Sequence, residues 1–318
     1  FTTSGTRLWA TYYGGSGEDN TRSCVADSNG NIYTIGTTAS LNLPTKDLGS
    51  GAYFQANNTA VMLNPNNFTA FLGKFSTTGQ MLWSTYFGGS TGENGINVWI
   101  DGSNSLLVTG SSASPDFPVS SGAFQTTYGG PQQGDVFGDA FLGKFSPSGA
   151  LQWLTFIGGT LDDLGYGIAT DSQNNIYLSA QSKGDFPTSP GAYQTTYGGG
   201  SQDAVIGKFS PSGARLWLSY YRGSGSEQGT GILFLNNFVY MAGYSSSNLP
   251  GPSAGVAQPV SGGGPGDGYI SKWNPDNGAN QLVWRTYTGG SGDDGIDEIT
   301  RTPSGNIVCG GWTSSANY

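Results

Sequence analysis

Residues 139–194 read DAFLGKFSPSGALQWLTFIGGTLDDLGYGIATDSQNNIYLSAQSKGDFPTSPGAYQ, and this stretch decides the fold. It holds four short phrases, DAFLGKF, LQWLTFI, GIATD and NIYLSA, rich in β-branched and aromatic residues and bounded by Gly, Pro, Asn or Ser. Phrases of this kind are strands, and no helical period in the chain is long enough to compete. The same phrases recur in the same order on either side. Trp9, Trp83, Trp153, Trp217 and Trp284, at intervals of 64 to 74 residues, sit in LWATYYGG, LWSTYFGG, LQWLTFIGG, LWLSYYRG and VWRTYTGG. NIYTIG, SLLVTG, NIYLSA, FVYMAG and NIVCGG recur between them, as do TAFLGKFSTTG, DAFLGKFSPSG, DAVIGKFSPSG and DGYISKWNPDNG. A four-stranded antiparallel sheet cannot bury both of its faces alone, and stacking copies of it does. The repeat therefore predicts an all-β protein, a β-propeller of four-stranded antiparallel blades.

Composition narrows the class. The chain has 318 residues, 54 of them Gly, with 13% aromatic and only 10% charged. There is no Gly-X-Y period, and the aromatic content excludes a disordered chain. Twelve basic and 21 acidic residues give a net charge of −9, which argues against nucleic acid and anionic membrane as partners. No apolar run reaches the length of a membrane-spanning helix, so direct membrane insertion is not expected. There is no histidine, which removes Ser-His and Cys-His catalysis and imidazole zinc ligation. Two cysteines, Cys24 and Cys309, make neither a zinc site nor a disulfide scaffold and read as buried thiols. Phe1 opens no signal peptide, so either one was removed or the sequence is part of a longer chain.

The run from Asp139 to Gln194 closely resembles the bacterial SBBP β-propeller repeat, and the resemblance extends over essentially the whole chain. It implies a large secreted or cell-surface bacterial protein, and no catalytic residues are carried over from the family. The family name refers to seven blades, and at its own period this chain is too short for seven.

Lettering the strands outward from the axis, strand A is Cys24–Asp27, Ile96–Asp101, Ile168–Asp171, Ile232–Leu235 and Ile296–Thr300. Strand B is Ile32–Gly36, Leu106–Gly110, Ile176–Ala180, Val239–Gly243 and Ile307–Gly311, and strand C is Ala70–Phe75, Ala140–Phe145, Ala204–Phe209 and Tyr269–Trp273. The Trp phrase is the outer strand D. The chain is then a single propeller domain, 1–318, with repeats at about 1–20 (strand D), 21–92, 93–161, 162–226, 227–292 and a partial one at 293–318. Four blades are complete and a fifth is split between the termini. If the ring closes with five, Leu8–Tyr13 and Ile296–Gly311 share a blade, and its missing strand C comes from flanking chain or from a neighbouring molecule by strand donation. The rival is an incomplete segment of a six- or seven-bladed ring. The A–B and C–D turns are short, whereas the D–A and B–C links are long and emerge on one face, where binding is expected. A two-residue turn in place of Ala123–Gly138 is expected to leave the fold intact and abolish partner binding.

Three constellations recur. Eight acids follow the GG phrase: Glu18, Asp19, Glu93, Asp162, Asp163, Glu227, Asp293 and Asp294. A ring of them could bind Ca²⁺ or a cationic ligand, with Asp19, Asp162, Asp163, Asp293 and Asp294 as candidates; alternatively each carboxylate accepts N–H bonds from its own loop. The spacing matches no EF-hand, so no metal or other cofactor is expected. Lys74, Lys144, Lys208 and Lys272 hold one place in strand C, the last three lying five residues after Asp139, Asp203 and Asp267. Residues five apart on a strand point to opposite faces, so these lysines read as structural. Tyr53, Phe124, Tyr128, Tyr193 and Tyr197, in GAYFQ, GAFQTTYGG and GAYQTTYGG, either stack on a glycan or protein partner or anchor the B–C loops.

Because the acids repeat, no singular acid–base pair marks an enzyme. The sequence points to a non-catalytic extracellular or cell-surface propeller in adhesion or surface assembly, with a protein or glycan partner and possible self-assembly through the terminal strands. The alternative is a glycan-binding or glycoside-cleaving propeller that uses Asp or Glu on the loop face.

Overall fold

The computed structural model describes residues 2–130, 137–276 and 281–317. Phe1, on which the likeness of residues 1–9 to a strand-C ending rests, lies outside them, as do residues 131–136 of the second B–C link. The chain is all-β. The first sheet is β1 (Asp19–Ala26), β2 (Ile32–Thr38), β3 (Thr69–Phe75) and β4 (Met81–Phe87). The second is β5 (Glu93–Ile100), β6 (Leu106–Ser112), β7 (Asp139–Phe145) and β8 (Leu151–Ile157). The third is β9 (Asp163–Thr170), β10 (Ile176–Ser182), β11 (Asp203–Phe209) and β12 (Arg215–Tyr221). The fourth is β13 (Glu227–Leu235), β14 (Phe238–Ser245), β15 (Asp267–Trp273) and β16 (Leu282–Thr288), followed by a two-stranded sheet of β17 (Asp294–Arg301) and β18 (Ile307–Thr313). Within every sheet sequence neighbours pair, giving the up-and-down meander of a propeller blade.

Strand A begins earlier than its apolar phrase suggests, because its first residue is the acid after the glycines. Two or three residues further on, a bulge skips one position: between Thr21 and Ser23, Gly95 and Asn97, Gly229 and Gly231, and Ile296 and Glu298. The bulge drives the strand-A backbone onto strand B. A Cβ on Gly110 would lie 1.8 Å from the Asn94 carbonyl oxygen, which is why strand B carries glycine there. One element was not foreseen, a short helix α1 (Thr59–Leu63) in the first B–C link, capped by Asn58, whose side chain accepts from the Val61 N–H at 3.1 Å.

The chain divides into two compact units, residues 1–128 with 141–156 and residues 129–140 with 157–318. In the first unit Phe87 is fully buried and meets Tyr53, Phe117, Phe141 and Phe145 edge-on or tilted, with ring centres 5.1–5.7 Å away. In the second, Trp273 meets Tyr193 and Tyr221 edge-on at 5.5 and 5.0 Å. Each such ring contributes about 1.5–3 kcal/mol by burial and about 0.5–1.5 kcal/mol by geometry.

The strand expected at Leu8–Tyr13 is not formed, and β17–β18 remains a two-stranded sheet. The N-terminal Trp phrase uses its side chains instead. Trp9 Nε1 donates to the Thr77 carbonyl at 2.9 Å in the C–D turn of the first sheet, and Tyr13 packs edge-on against Phe71 and Phe75. Trp217 makes the equivalent bond, to the Pro275 carbonyl in the C–D turn of the fourth sheet, at 3.1 Å. The aromatic contacts of a strand D thus form here without its ladder. Neither cysteine is in a disulfide: Cys24 is exposed rather than buried, and Cys309 is half-buried, with burial pushing its thiol up.

Candidate functional site

The loop-face acids are built into the framework. Asp19 accepts from the Gly15 N–H at 2.7 Å and from the hydroxyls of Thr38 and Ser40 at 2.5 and 2.9 Å. Glu93 accepts from the Gly89 N–H at 3.1 Å, from Ser112 at 3.2 Å, from Ser114, and from Thr69 at 2.9 Å. Asp163 accepts from the Gly159 N–H at 2.8 Å. Glu227 accepts from the Gly223 N–H at 2.9 Å and from Ser245 and Ser247 at 3.0 and 2.7 Å. Asp294 accepts from the Gly290 N–H and Ser315, both at 2.7 Å, and from Thr313. One rule covers all five: the carboxylate closes on the N–H four residues before it. In four of them it also takes hydroxyls from the end of strand B and just beyond.

The companion acids differ. Glu18 is exposed. Asp162 is buried, pairs with Lys183 Nζ at 2.7 Å and accepts from the Gly138 N–H at 3.0 Å. Asp293 is half-buried, and its charge pushes the Tyr244 hydroxyl up, second to burial. Among the described residues no group of three or more His, Cys, Asp or Glu side chains is placed to hold a metal ion. Desolvation raises Glu93 and, further, Asp163. For Asp294 burial acts in the same direction, but the Thr313, Ser315 and Gly290 donors outweigh it and hold the carboxyl below its usual range.

The repeated lysines reach turns or neighbouring rings, not the aspartates of their own strand: Lys74 and Lys144 reach the A–B turn of their own sheet, and Lys208 reaches the C–D turn of the fourth sheet. Lys144 Nζ stands 2.7 Å from Asp101, Lys74 Nζ 3.8 Å from Asp27, and Lys208 Nζ 2.7 Å from Asp276. Lys272 Nζ lies over the Phe238 ring at 3.8 Å.

The loop aromatics face inward. Tyr53 packs on Phe87 and Phe145, Tyr128 is buried against Phe156, Tyr193 meets Trp273 and Tyr197 meets Tyr220, while Phe124 is half-buried. Tyr53, Tyr128, Tyr193 and Tyr197 thus pack against rings of the sheets. The glutamine after them explains the recurrence. The backbone N–H groups of Gln55, Gln125, Gln194 and Gln258 donate to Thr85, Thr155, Ser219 and Thr286 of strand D at 2.7–3.0 Å. Their carbonyls accept from the next residue of that strand, Tyr86, Phe156, Tyr220 and Tyr287, at 2.9–3.2 Å. Each B–C link therefore lies along the outer edge of its own sheet and covers it. This corrects the expectation that Ala123–Gly138 is dispensable to the fold, since Gln125 and Tyr128 belong to that cover.

Residues 8–44 and 152–187 match the family model SBBP, described as a beta-propeller repeat. Two segments of the chain thus match the SBBP repeat. The two matched segments begin in a Trp phrase and run through strands A and B, so the signature contains the GG–acid clasp described above. No curated protein matches. Solved structures similar to this chain include a thermostable family-43 glycoside hydrolase, 10% identical, TM-score 0.44, with 95% of this chain and 87% of that one covered. A Bacteroides caccae protein of unknown function is 10% identical, TM-score 0.38, covering 93% and 78%. An exo-beta-1,3-galactanase from Phanerochaete chrysosporium, solved with galactose, is 10% identical, TM-score 0.41, covering 92% of this chain and 55% of that one.

Sequence reasoning weighed the strand-C aspartates only as partners of the lysines, and it did not single out the edge-covering glutamines. The glutamine recurs in all four B–C links and the aspartate in three of the four strands C, with Thr69 in the first, and recurrence at a polar position was the available signal.

Proposed function

We propose that this chain is a non-catalytic propeller module of an extracellular or cell-surface protein, acting in adhesion or surface assembly, with four complete blades and strands A and B of a fifth. One observation carries the reading. The acids, lysines and loop aromatics that recur are spent on sheet ends and edges, while apolar exposure gathers in the first B–C link. There Leu41, Leu48, Phe54, Met62 and Leu63 are exposed, Met62 and Leu63 by 65% and 68% on helix α1. Exposed apolar side chains grouped in one loop of a rigid scaffold favour a protein partner over a glycan. The module binds through that loop and not through the buried carboxylates, which a sugar does not reach.

The test combines sedimentation at rising concentration, a glycan array and a polysaccharide turnover screen on the same chain. Protein association that Met62→Ser with Leu63→Ser abolishes, at unchanged melting temperature, is the expected result. Specific glycan hits, or turnover abolished by one Asp substitution, would overturn it.

A further inference from the structure

The strand-C aspartates stand beside the acid that opens the following strand A. At each junction the backbone N–H of that acid donates to the carbonyl of the residue before strand C: Glu93 to Phe68, Asp163 to Gly138, Glu227 to Gln202 and Asp294 to Gly266, at 2.7–3.1 Å. The first residues of the two strands therefore share one position four times: Thr69 with Glu93, Asp139 with Asp163, Asp203 with Glu227 and Asp267 with Asp294. At the Thr69 junction the chemistry is simple, because the hydroxyl donates to Glu93 Oε2 at 2.9 Å. At the Asp203 junction two acids meet. Both are fully buried. Asp203 Oδ2 accepts from the Gly198 N–H at 2.5 Å, while Asp203 Oδ1 is buried with no hydrogen-bond partner. Glu227 is an acceptor already, with its N–H and two hydroxyl donors in place.

We propose that Asp203 is a carboxylic acid in the folded protein near neutral pH, its proton on Oδ1 donated to Glu227, as the Thr69 hydroxyl is donated to Glu93. Two buried carboxylates cannot both ionise at one junction, and a single proton satisfies the orphaned oxygen. The surrounding charges permit it. Arg222, from the loop after β12, is the cation beside the pair, but its guanidinium donates to the Thr196 carbonyl and hydroxyl, both at 3.0 Å. The other titratable groups facing Asp203 are Tyr197 of the B–C link and Tyr220 of β12: burial and then an Asp203 charge push the Tyr197 hydroxyl up, and burial, then Asp163 and then Asp203 push up that of Tyr220. Burial first, and then the Glu227 charge, push the Asp203 carboxyl up to about 7, against the Gly198 N–H and Arg222.

The consequence is a junction that loosens with rising pH. Because the folded value lies above the unfolded one, its stabilisation is complete below pH ~4 and is lost as pH rises through about 7. Asp203→Thr, which copies the Thr69 junction, and Asp203→Asn are compared with the parent chain by thermal melting at pH 5 and pH 8. Both variants should gain melting temperature relative to the parent between pH 5 and pH 8. Difference infrared spectra of the parent chain should show a protonated-carboxyl band at neutral pH that Asp203→Asn removes. A loss of equal size at both pH values, or no such band in the parent chain, would overturn the proposal. So would a calcium-dependent rise in the parent melting temperature at pH 8 that Asp203→Asn abolishes, which would make the pair a cation site.

Discussion

Lys144 and Lys208 hold the same place in successive repeats, but their partners differ in burial, and that difference sets what each lysine is worth. Lys144 Nζ lies 2.7 Å from Asp101, whose side chain is 1% exposed. Asp101 Oδ1 accepts from the N–H groups of Ser103 and Ser105 at 2.8 and 2.9 Å and from the Ser103 hydroxyl at 2.7 Å, so Oδ2 depends on the lysine. Lys144→Met keeps the packed stem and removes the charge, leaving a buried carboxylate without its counter-ion. That costs about 3–5 kcal/mol, or roughly a hundredfold to a few thousandfold in the folding equilibrium. Lys208 pairs with Asp276 at the same distance, but that aspartate is 79% exposed. Solvent screens the pair, so Lys208→Met should cost only about 1 kcal/mol, including its contact with the Tyr177 ring at 5.5 Å. Urea unfolding followed by tryptophan fluorescence should give a midpoint loss at constant slope, much larger for Lys144→Met. Asp101→Asn should remove most of that excess in a double-mutant cycle. Losses within about 0.5 kcal/mol of each other, or no coupling in the cycle, would refute the link between partner burial and cost.

The same pair has a pH signature. Burial raises the Asp101 carboxyl, but Lys144, Ser103 and Ser105 outweigh it and hold it below its ordinary value, so the stabilisation exists above pH ~4 and disappears as pH falls through the folded value. The cost of Lys144→Met should therefore shrink in acid, seen by repeating the urea titration at pH 3. Gly88→Ala should destabilise by about 2–5 kcal/mol, because its Cβ would lie 2.1 Å from both Glu93 Oε2 and Thr69 Oγ1 and break their bond. Gly122→Ala, in open space at φ +80°, should cost only about 1–2 kcal/mol of backbone strain by the same denaturation assay. A two-residue turn replacing Ala123–Gly138 should lower the melting temperature, since it removes Tyr128 from Phe156 and the Gln125 bonds to Thr155 and Phe156. Melting in excess Ca²⁺ and in chelator should coincide, whereas a site at a hundredfold excess over Kd would add about 2.7 kcal/mol.

The sequence alone determined the strands, their order and the antiparallel blade. Trp9 to Trp284 and the GKF phrases repeat, and alternating β-branched and aromatic residues between Gly, Asn and Ser leave the backbone few alternatives. It also showed which polar positions recur, but recurrence does not say what a side chain touches. Strand periodicity already turned Lys144 away from Asp139, five positions back, but only the tertiary structure supplied its partner, Asp101, because the A–B turn lies alongside Lys144. It decided that Tyr53 and Tyr193 fill core gaps, because the long B–C links bond along strand D and carry their rings inward. And it placed Asp203 against Glu227, 24 positions apart in sequence, since a contact between two sheets depends on register and bulge, which composition and local pattern do not encode.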